Sequence, residues 1–228
     1  MGSIDDNLQA VKARIAAAAA RCGRDPAGVA LLAVSKTQPA ARVREAIEAG
    51  QRAFGENYVQ EAVEKMDAIG RDGVEWHLIG PLQSNKTRPV AERFAWVHSV
   101  DSEKLARRLS GQRSGNLPPL NVLVQVNVSG EASKGGVAPA EAPALARAAA
   151  RLPRLRLRGL MAIPEPGAPA ARYRELKGLY DGLKAELGLD TLSVGMSDDL
   201  ELAVAEGSTM VRVGTAIFGA RERVRPAA

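Results

Sequence analysis

Val29-Ala30-Leu31-Leu32-Ala33-Val34 is an apolar run that stops at Ser35-Lys36-Thr37. A short run of this kind, without alternation, marks a strand buried on both faces, as in a parallel sheet. Pro39 then suits a first helical turn, and Val43, Ala46, Ile47 and Gly50 share one helical face. The same order repeats along the chain. Arg52–Gly55 leads to a helix from about Asn57 to Ile69, and Glu75–Ile79 to one starting near Ser84. Trp96–Val100 leads to a helix begun by Asp101 or Ser102, and Leu120–Val128 to an Ala-rich helix over Pro139–Leu152. Arg156–Ala162 precedes a Pro/Gly loop and a helix around Ala170–Leu187. Thr191–Val194 meets a helix over Asp198–Glu206, and Met210–Val213 ends at Gly214 before a short last helix. In the other direction, Ile4, Leu8, Val11 and Ile15 recur at helical spacing and predict an amphipathic helix within residues 1–22.

Alternating strands and helices imply a parallel sheet, and eight such units in 228 residues imply a closed (β/α)8 barrel. An open doubly wound sheet is the other arrangement, because several strands are only four residues long. No linker or composition break divides the chain, so one domain over 1–228 is expected, with the N-terminal helix packing on the barrel. Within Leu120–Val128 the face of Leu120, Val122, Val124, Val126 and Val128 is wholly apolar and should lie under the helices. Gln125 and Asn127 are then expected to point into the barrel, where buried amides need partners.

Composition narrows the function classes. The formal charge of +5 comes from basic residues scattered over helices, with only Arg154, Arg156 and Arg158 closely grouped and no aromatic interleaving. Nucleic acid is therefore not expected as a partner. The single cysteine, Cys22, rules out an internal disulfide, and two histidines without HxH or HExxH spacing give no metal site. No apolar stretch is long enough to cross a bilayer, and the Ala16–Ala20 run is flanked by charge, unlike a signal peptide. Asp6 stands where myristoylation after Met1-Gly2 needs Ser or Thr. A cytoplasmic protein is expected.

In a parallel barrel, chemistry collects at the C-terminal ends of the strands. Those ends read Ser35-Lys36-Thr37, Gly55-Glu56-Asn57-Tyr58, Gly159-Leu160-Met161-Ala162, Gly195-Met196-Ser197-Asp198 and Arg212-Val213-Gly214-Thr215. Lys36 is either a lysine extended to solvent or an amine held in the mouth, where desolvation favours the free base that attacks an aldehyde. Gly195-Met196-Ser197 and Gly214-Thr215 follow the seventh and eighth strands, the place where barrels cradle phosphate on backbone N–H groups. The competing reading is plain N-capping, with Asp198 and Asp199 complementing a helix dipole. Arg212 shares a strand face with Gly214; inside a barrel it needs a partner, whether a phosphate, an ion pair or a ring nitrogen. Asn57 followed by Gln60 reads as a capping box. His77 reads as a hydrogen-bonded core residue, and Met161 as packing at the strand end that faces a ligand.

Taken together, the motifs carry a resemblance. Ala33-Val34-Ser35-Lys36-Thr37, Phe54–Glu61, Trp76–Lys86, Gly159–Ile163, Gly195–Asp199 and Val211–Gly219 resemble the pyridoxal phosphate homeostasis protein family, in its order and from about Val29 to Arg221. The resemblance implies a barrel similar to the N-terminal domain of alanine racemase, with pyridoxal 5′-phosphate as cofactor and Lys36 as its Schiff-base lysine. It makes Ser197, Gly214 and Thr215 the phosphate cradle, Arg212 the partner of the pyridine nitrogen, and Asn57 and Met161 neighbours of the cofactor. Many bacterial members carry a second lysine two places after the first, where this chain has Gln38.

Racemisation needs a base on each face of the planar substrate–cofactor adduct, and Lys36 supplies one. The second base of racemases comes from a further domain and a dimer partner; with only about ten residues after Phe218, that domain is expected to be absent. A cationic Arg212 beside the ring nitrogen also weakens the electron sink. The expectation is a monomeric carrier that binds, buffers and delivers the cofactor to pyridoxal phosphate-dependent apoenzymes, with slow or no turnover. A racemase or lyase of narrow range is the alternative, followed by a Schiff-base aldolase barrel, which Lys36 on the first strand disfavours.

Overall fold

A computed structural model describes residues 2–70, 72–131 and 134–219; the stretch past residue 219, into which the resemblance and the domain expectation extend, lies outside the described residues. Strands β1 (Ala30–Val34), β2 (Ala53–Glu56), β3 (Glu75–Leu78) and β4 (Trp96–Val100) alternate with helices α2 (Ala40–Glu48), α3 (Val59–Ile69) and α4 (Thr87–Arg93), after an opening helix α1 (Ile4–Arg21). The second half continues with α5 (Glu103–Gln112), β5 (Leu120–Gln125), α6 (Ala142–Ala150), β6 (Leu155–Met161) and α7 (Ala170–Leu187). It ends with β7 (Thr191–Ser193), α8 (Leu200–Ala205), β8 (Met210–Val213) and α9 (Thr215–Phe218). The strands pair in parallel in chain order, and β8 pairs back onto β1 through Ala30↔Met210 and Leu32↔Arg212. The sheet is a closed barrel, and the open doubly wound alternative is excluded.

Side-chain parity sorts the core into two parts. Val97, Val122, Val124, Leu160, Val211 and Val213 belong to the large cluster shared with helix residues such as Val43, Leu105, Leu109 and Leu176. Their alternates fill the inside of the barrel in two smaller groups, Leu32 with Ile79 and Met210, and Trp96 with Leu123 and Met161. Between those groups the interior is polar: His77, His98, Ser193 and Arg212 are all buried. Bulges between Val97 and Val100 and between Val122 and Leu123 shift the register and decide which residues turn inward.

The fifth strand is shorter than its apolar pattern suggests. It ends at Gln125, and the chain then bridges Val126 to Val137, with Val137 N–H donating to the Gln125 carbonyl and Asn127 N–H to the Val137 carbonyl. The Asn127 amide consequently donates to the carbonyls of Glu131 and Lys134 in its own loop, where a place in the barrel interior was expected. Gln125 also satisfies itself locally, on the Gly135 carbonyl.

Helix α1 begins with a capping box, in which Ser3 Oγ accepts from Asp6 N–H and the Asp6 carboxylate accepts from Ser3 N–H. It buries Ile4, Leu8, Val11 and Ile15 and packs against α2, α8 and α9. Arg14 bonds Glu201 at 2.9 Å and the Ser197 carbonyl at 2.9 Å, while the Asn7 amide reaches the Ile217 carbonyl at 2.8 Å. This helix therefore braces the loops that follow β7 and β8. Among the described residues, no helix is long and apolar enough to cross a membrane, and no group of three His, Cys, Asp or Glu could hold a metal.

Candidate functional site

A cavity of about 290 Å³ opens at the C-terminal mouth of the barrel. Lys36, Asn57, Ser197, Arg212, Gly214 and Thr215 all line it, brought together from the ends of β1, β2, β7 and β8. Val34, Ile79, Ile163 and Met196 supply apolar wall. Met161 does not line it: that residue is fully buried beside Trp96 and Leu123 within the barrel. Its part in the structure is packing.

The backbone around Lys36 is fixed from both sides. Ser35, fully buried, donates its hydroxyl to Glu56 Oε1 at 2.6 Å, and its N–H bonds the Gly55 carbonyl. Lys65 reaches in from α3 and gives its ammonium to the Ser35 carbonyl at 2.6 Å, to Glu56 at 2.8 Å and to Glu61 at 2.6 Å. Glu61 also accepts from the N–H of Thr37, which sits at φ +63°, a left-handed conformation unusual for a β-carbon residue. Burial pushes the Glu56 carboxyl above the usual carboxylate range, against the pull of Lys65 and of the Ser35 hydroxyl. Glu56, Glu61 and Lys65 were not singled out from sequence. The available signal was a charged residue, Lys65, among the apolar positions of an amphipathic helix.

Asn57 departs from its sequence reading. Helix α3 starts two residues later than expected, with Tyr58 as N-cap and no side-chain cap, and Gln60 turns to Glu64. The capping box is absent. Asn57 instead lines the cavity with its Oδ1 buried and without a hydrogen-bond partner. Gly80 makes this placement possible: a Cβ there would lie 2.2 Å from the Asn57 carbonyl oxygen.

On the other side of the cavity, Gly214 packs tightly enough on β1 that a Cβ would meet the Val34 carbonyl at 3.0 Å. Thr215 then opens α9; the Ile217 and Phe218 N–H groups bond the Gly214 carbonyl, and those of Thr215 and Ala216 have no helix acceptor. Asp199 is drawn back from the cavity, accepting from Met196 N–H at 2.5 Å and from the Tyr173 hydroxyl at 2.5 Å. That phenol is pushed well above its ordinary value by burial and by this carboxylate, and it remains a donor. Asp198 stays at the rim.

Arg212 forms the floor. Its guanidinium donates to the Ser193 carbonyl and hydroxyl at 2.7 and 2.8 Å and to the Ala162 carbonyl at 2.8 Å. Burial lowers its pKa to about 10, so it is still a cation at neutral pH. Among the described residues no carboxylate pairs with it. Ser193, which bonds Arg212 from beneath, and His98, which bonds Ser193, escaped the sequence reading. Their only signal was that inward-facing positions on β4 and β7 carried polar side chains.

Residues 7–222 match the family described as alanine racemase, N-terminal domain. A pyridoxal phosphate homeostasis protein of Pseudomonas aeruginosa is 61% identical over 231 residues, covering 100% of both chains. Its counterpart in Escherichia coli K12 is 57% identical, over 97% of this chain and 98% of the other. Among solved structures, PipY of Synechococcus elongatus, with pyridoxal phosphate bound, superposes with a TM-score of 0.79 at 40% identity, over 95% of this chain and 100% of that one. Alanine racemase of Corynebacterium glutamicum shares the fold, with a TM-score of 0.67 at 19% identity, and this chain covers 63% of it. The chain belongs to the alanine racemase N-terminal domain family and, within it, to the pyridoxal phosphate homeostasis proteins.

Proposed function

We propose that this protein holds pyridoxal 5′-phosphate in the barrel mouth as a Schiff base on Lys36, and that it serves to buffer and deliver the cofactor with little or no turnover. The observation that carries this reading is one cavity lined by an amine, an orphaned buried acceptor and a buried cation. These are Lys36 after β1, Asn57 Oδ1 after β2 and Arg212 on β8. Each matches a different part of the cofactor. The aldehyde reacts with a primary amine, a ring hydroxyl can donate to Asn57, and the pyridine nitrogen is an acceptor facing a guanidinium that can only donate. Ser197, Gly214 and Thr215, with the N–H groups of Thr215 and Ala216, suit the phosphate. The relative at 40% identity that is solved with pyridoxal phosphate bound supports the choice of cofactor.

Bound there, the cofactor would supply an electrophilic aldehyde and an electron sink. What this chain does to the sink argues for a carrier. Arg212 stays protonated and cannot take a proton from a ring nitrogen, so it disfavours the pyridinium form on which carbanion chemistry depends. Among the described residues the one carboxylate lining the cavity is Asp198, at the rim beside Ser197 on the phosphate side, which leaves no second base paired with Lys36 across the ring. Tyr58 is exposed and outside the lining, and position 38 is Gln38. The same reading takes the protein as a cytoplasmic monomer whose recipients are pyridoxal phosphate-dependent apoenzymes.

The test is the visible spectrum of purified protein after addition of pyridoxal phosphate, followed by borohydride reduction and mapping by mass spectrometry. A Schiff-base band trapped on Lys36, and missing from Lys36→Ala, is the expected result. A protein that stays colourless, or label on another lysine, overturns the reading. Appreciable turnover of any amino acid by the coloured protein would favour the racemase or lyase alternative.

A further inference from the structure

Beneath the cavity floor, a line of polar side chains crosses the barrel interior. It runs from Arg212 on β8 to Ser193 on β7, on to His98 on β4, and out through His77 to Glu75 at the start of β3. The Arg212 guanidinium lies 2.8 Å from Ser193 Oγ, and Ser193 Oγ lies 3.2 Å from His98 Nδ1. His98 Nε2 is 3.0 Å from His77 Nδ1; His77 Nε2 makes no full hydrogen bond and has the Glu75 carboxylate 3.5 Å away as its charged neighbour. Ser193, His98 and His77 are at most 1% exposed, whereas the Glu75 side chain is 61% exposed. The line thus starts in the cofactor mouth and ends in water at the opposite end of the barrel.

Its direction follows by elimination. A carboxylate has acceptors and no donor, so a neutral His77 carries its hydrogen on Nε2, toward Glu75, and leaves Nδ1 bare. His98 then carries its hydrogen on Nε2 and donates to His77 Nδ1. The bare Nδ1 of His98 takes the Ser193 hydrogen, and Ser193 Oγ accepts from Arg212. Burial holds both rings neutral, and for His98 the neighbouring His77 and Arg212 act in the same sense. Every lone pair in the line faces Arg212 and every hydrogen faces Glu75. A buried cation needs compensation, and here oriented dipoles ending in a distant carboxylate supply it in place of an ion pair.

We infer that Ser193, His98, His77 and Glu75 are positioning residues for Arg212, a one-way hydrogen-bond relay that sets the guanidinium against the ring nitrogen and ties its field to the far end of the barrel. The role toward the ring rests on the cofactor reading above; the direction of the relay does not. The chain has two histidines and both are in the line, so histidine-labelled protein reports on it alone.

The experiment is nitrogen-15 NMR of histidine-labelled protein, before and after pyridoxal phosphate, on wild type, Ser193→Ala, Ser193→Thr and Glu75→Gln. Both rings are expected neutral with hydrogen on Nε2, and both should shift in Glu75→Gln, a change at an exposed position. Cofactor addition should move the His98 signals. Ser193→Ala should weaken cofactor binding by about tenfold, the scale of one charge-assisted hydrogen bond, and shift the visible band. Ser193→Thr, which keeps the hydroxyl, should restore both. Hydrogen on Nδ1 of either ring overturns the relay. The expected tautomers together with an unchanged spectrum and affinity in Ser193→Ala overturn the positioning role. Wild-type protein that takes up no pyridoxal phosphate overturns the cofactor reading instead, and the apo tautomers then judge the relay separately.

Discussion

Lys36 is the residue on which the proposed chemistry turns, yet the groups that hold it in place are charged neighbours without a cofactor role. Lys65 and Glu56 are 6% and 0% exposed in their side chains, and a buried pair of this kind is a poor source of net stability. Its value here is geometric, because the same ammonium grips the carbonyl of Ser35, next in line to Lys36. Replacing Lys65 by Met should leave Glu56 buried with its partner gone and cost about 3–5 kcal/mol in urea unfolding. Adding Glu56→Gln should recover much of that loss while leaving the Ser35 carbonyl unheld. The double variant is therefore expected to be stable but slower to form the Lys36 Schiff-base band. A double variant no more stable than Lys65→Met would mean that the loss comes from packing of the lysine stem instead.

At the scale of elements, the strand-then-helix order made the barrel legible from sequence, because each apolar run and each helical face could be read locally. Lys36, Ser197, Arg212, Gly214 and Thr215 were legible for the same reason: all follow or end a strand, where a barrel opens. Asn57 was found with the wrong local role, and Met161, expected beside the cofactor, is buried in the barrel and does not line the cavity. The inner line through His98 and Ser193 was not legible at all. It joins β4 to β7, strands that are not neighbours, and two bulges move the register that parity depends on. Backbone approach is equally invisible in sequence, and Gly80 is its clearest case. Gly80→Ala would set a Cβ against the main chain of Asn57, where no side chain can move aside. It should cost about 3 kcal/mol and weaken cofactor binding by displacing Asn57. The control is Gly111→Ala in α5, where a Cβ meets nothing within 4 Å; that variant should gain about 0.5–1 kcal/mol from helix propensity and leave binding unchanged. Equal effects from the two changes would show that Gly80 does not position the site.

For the whole molecule, the polar interior sets how stability varies with pH. His77 and His98 are held below the ordinary histidine value of 6.5, first by burial, and for His98 also by His77 and Arg212. In the unfolded chain both would take up protons near pH 6.5, while the folded barrel keeps them neutral. The unfolded state therefore binds more protons as pH falls below that value, and stability present above pH 6.5 is lost on acidification. Each histidine that stays neutral contributes a slope of roughly 1.4 kcal/mol per pH unit. His98, whose shift is the larger, should hold that slope over the wider range. Glu56 acts in the opposite sense: its raised carboxyl favours the folded state at low pH and loses that advantage as pH rises. The histidine part is therefore read as a difference between proteins. Urea unfolding of wild type and His98→Gln at pH 7.5, 6.5 and 5.5 should show the wild type losing stability more steeply between 6.5 and 5.5, by about 1 kcal/mol. Between pH 7.5 and 6.5 the difference should change by only about 0.3 kcal/mol. Parallel curves would mean that His98 titrates normally in the fold, and a relay built on its neutral ring would fail with it.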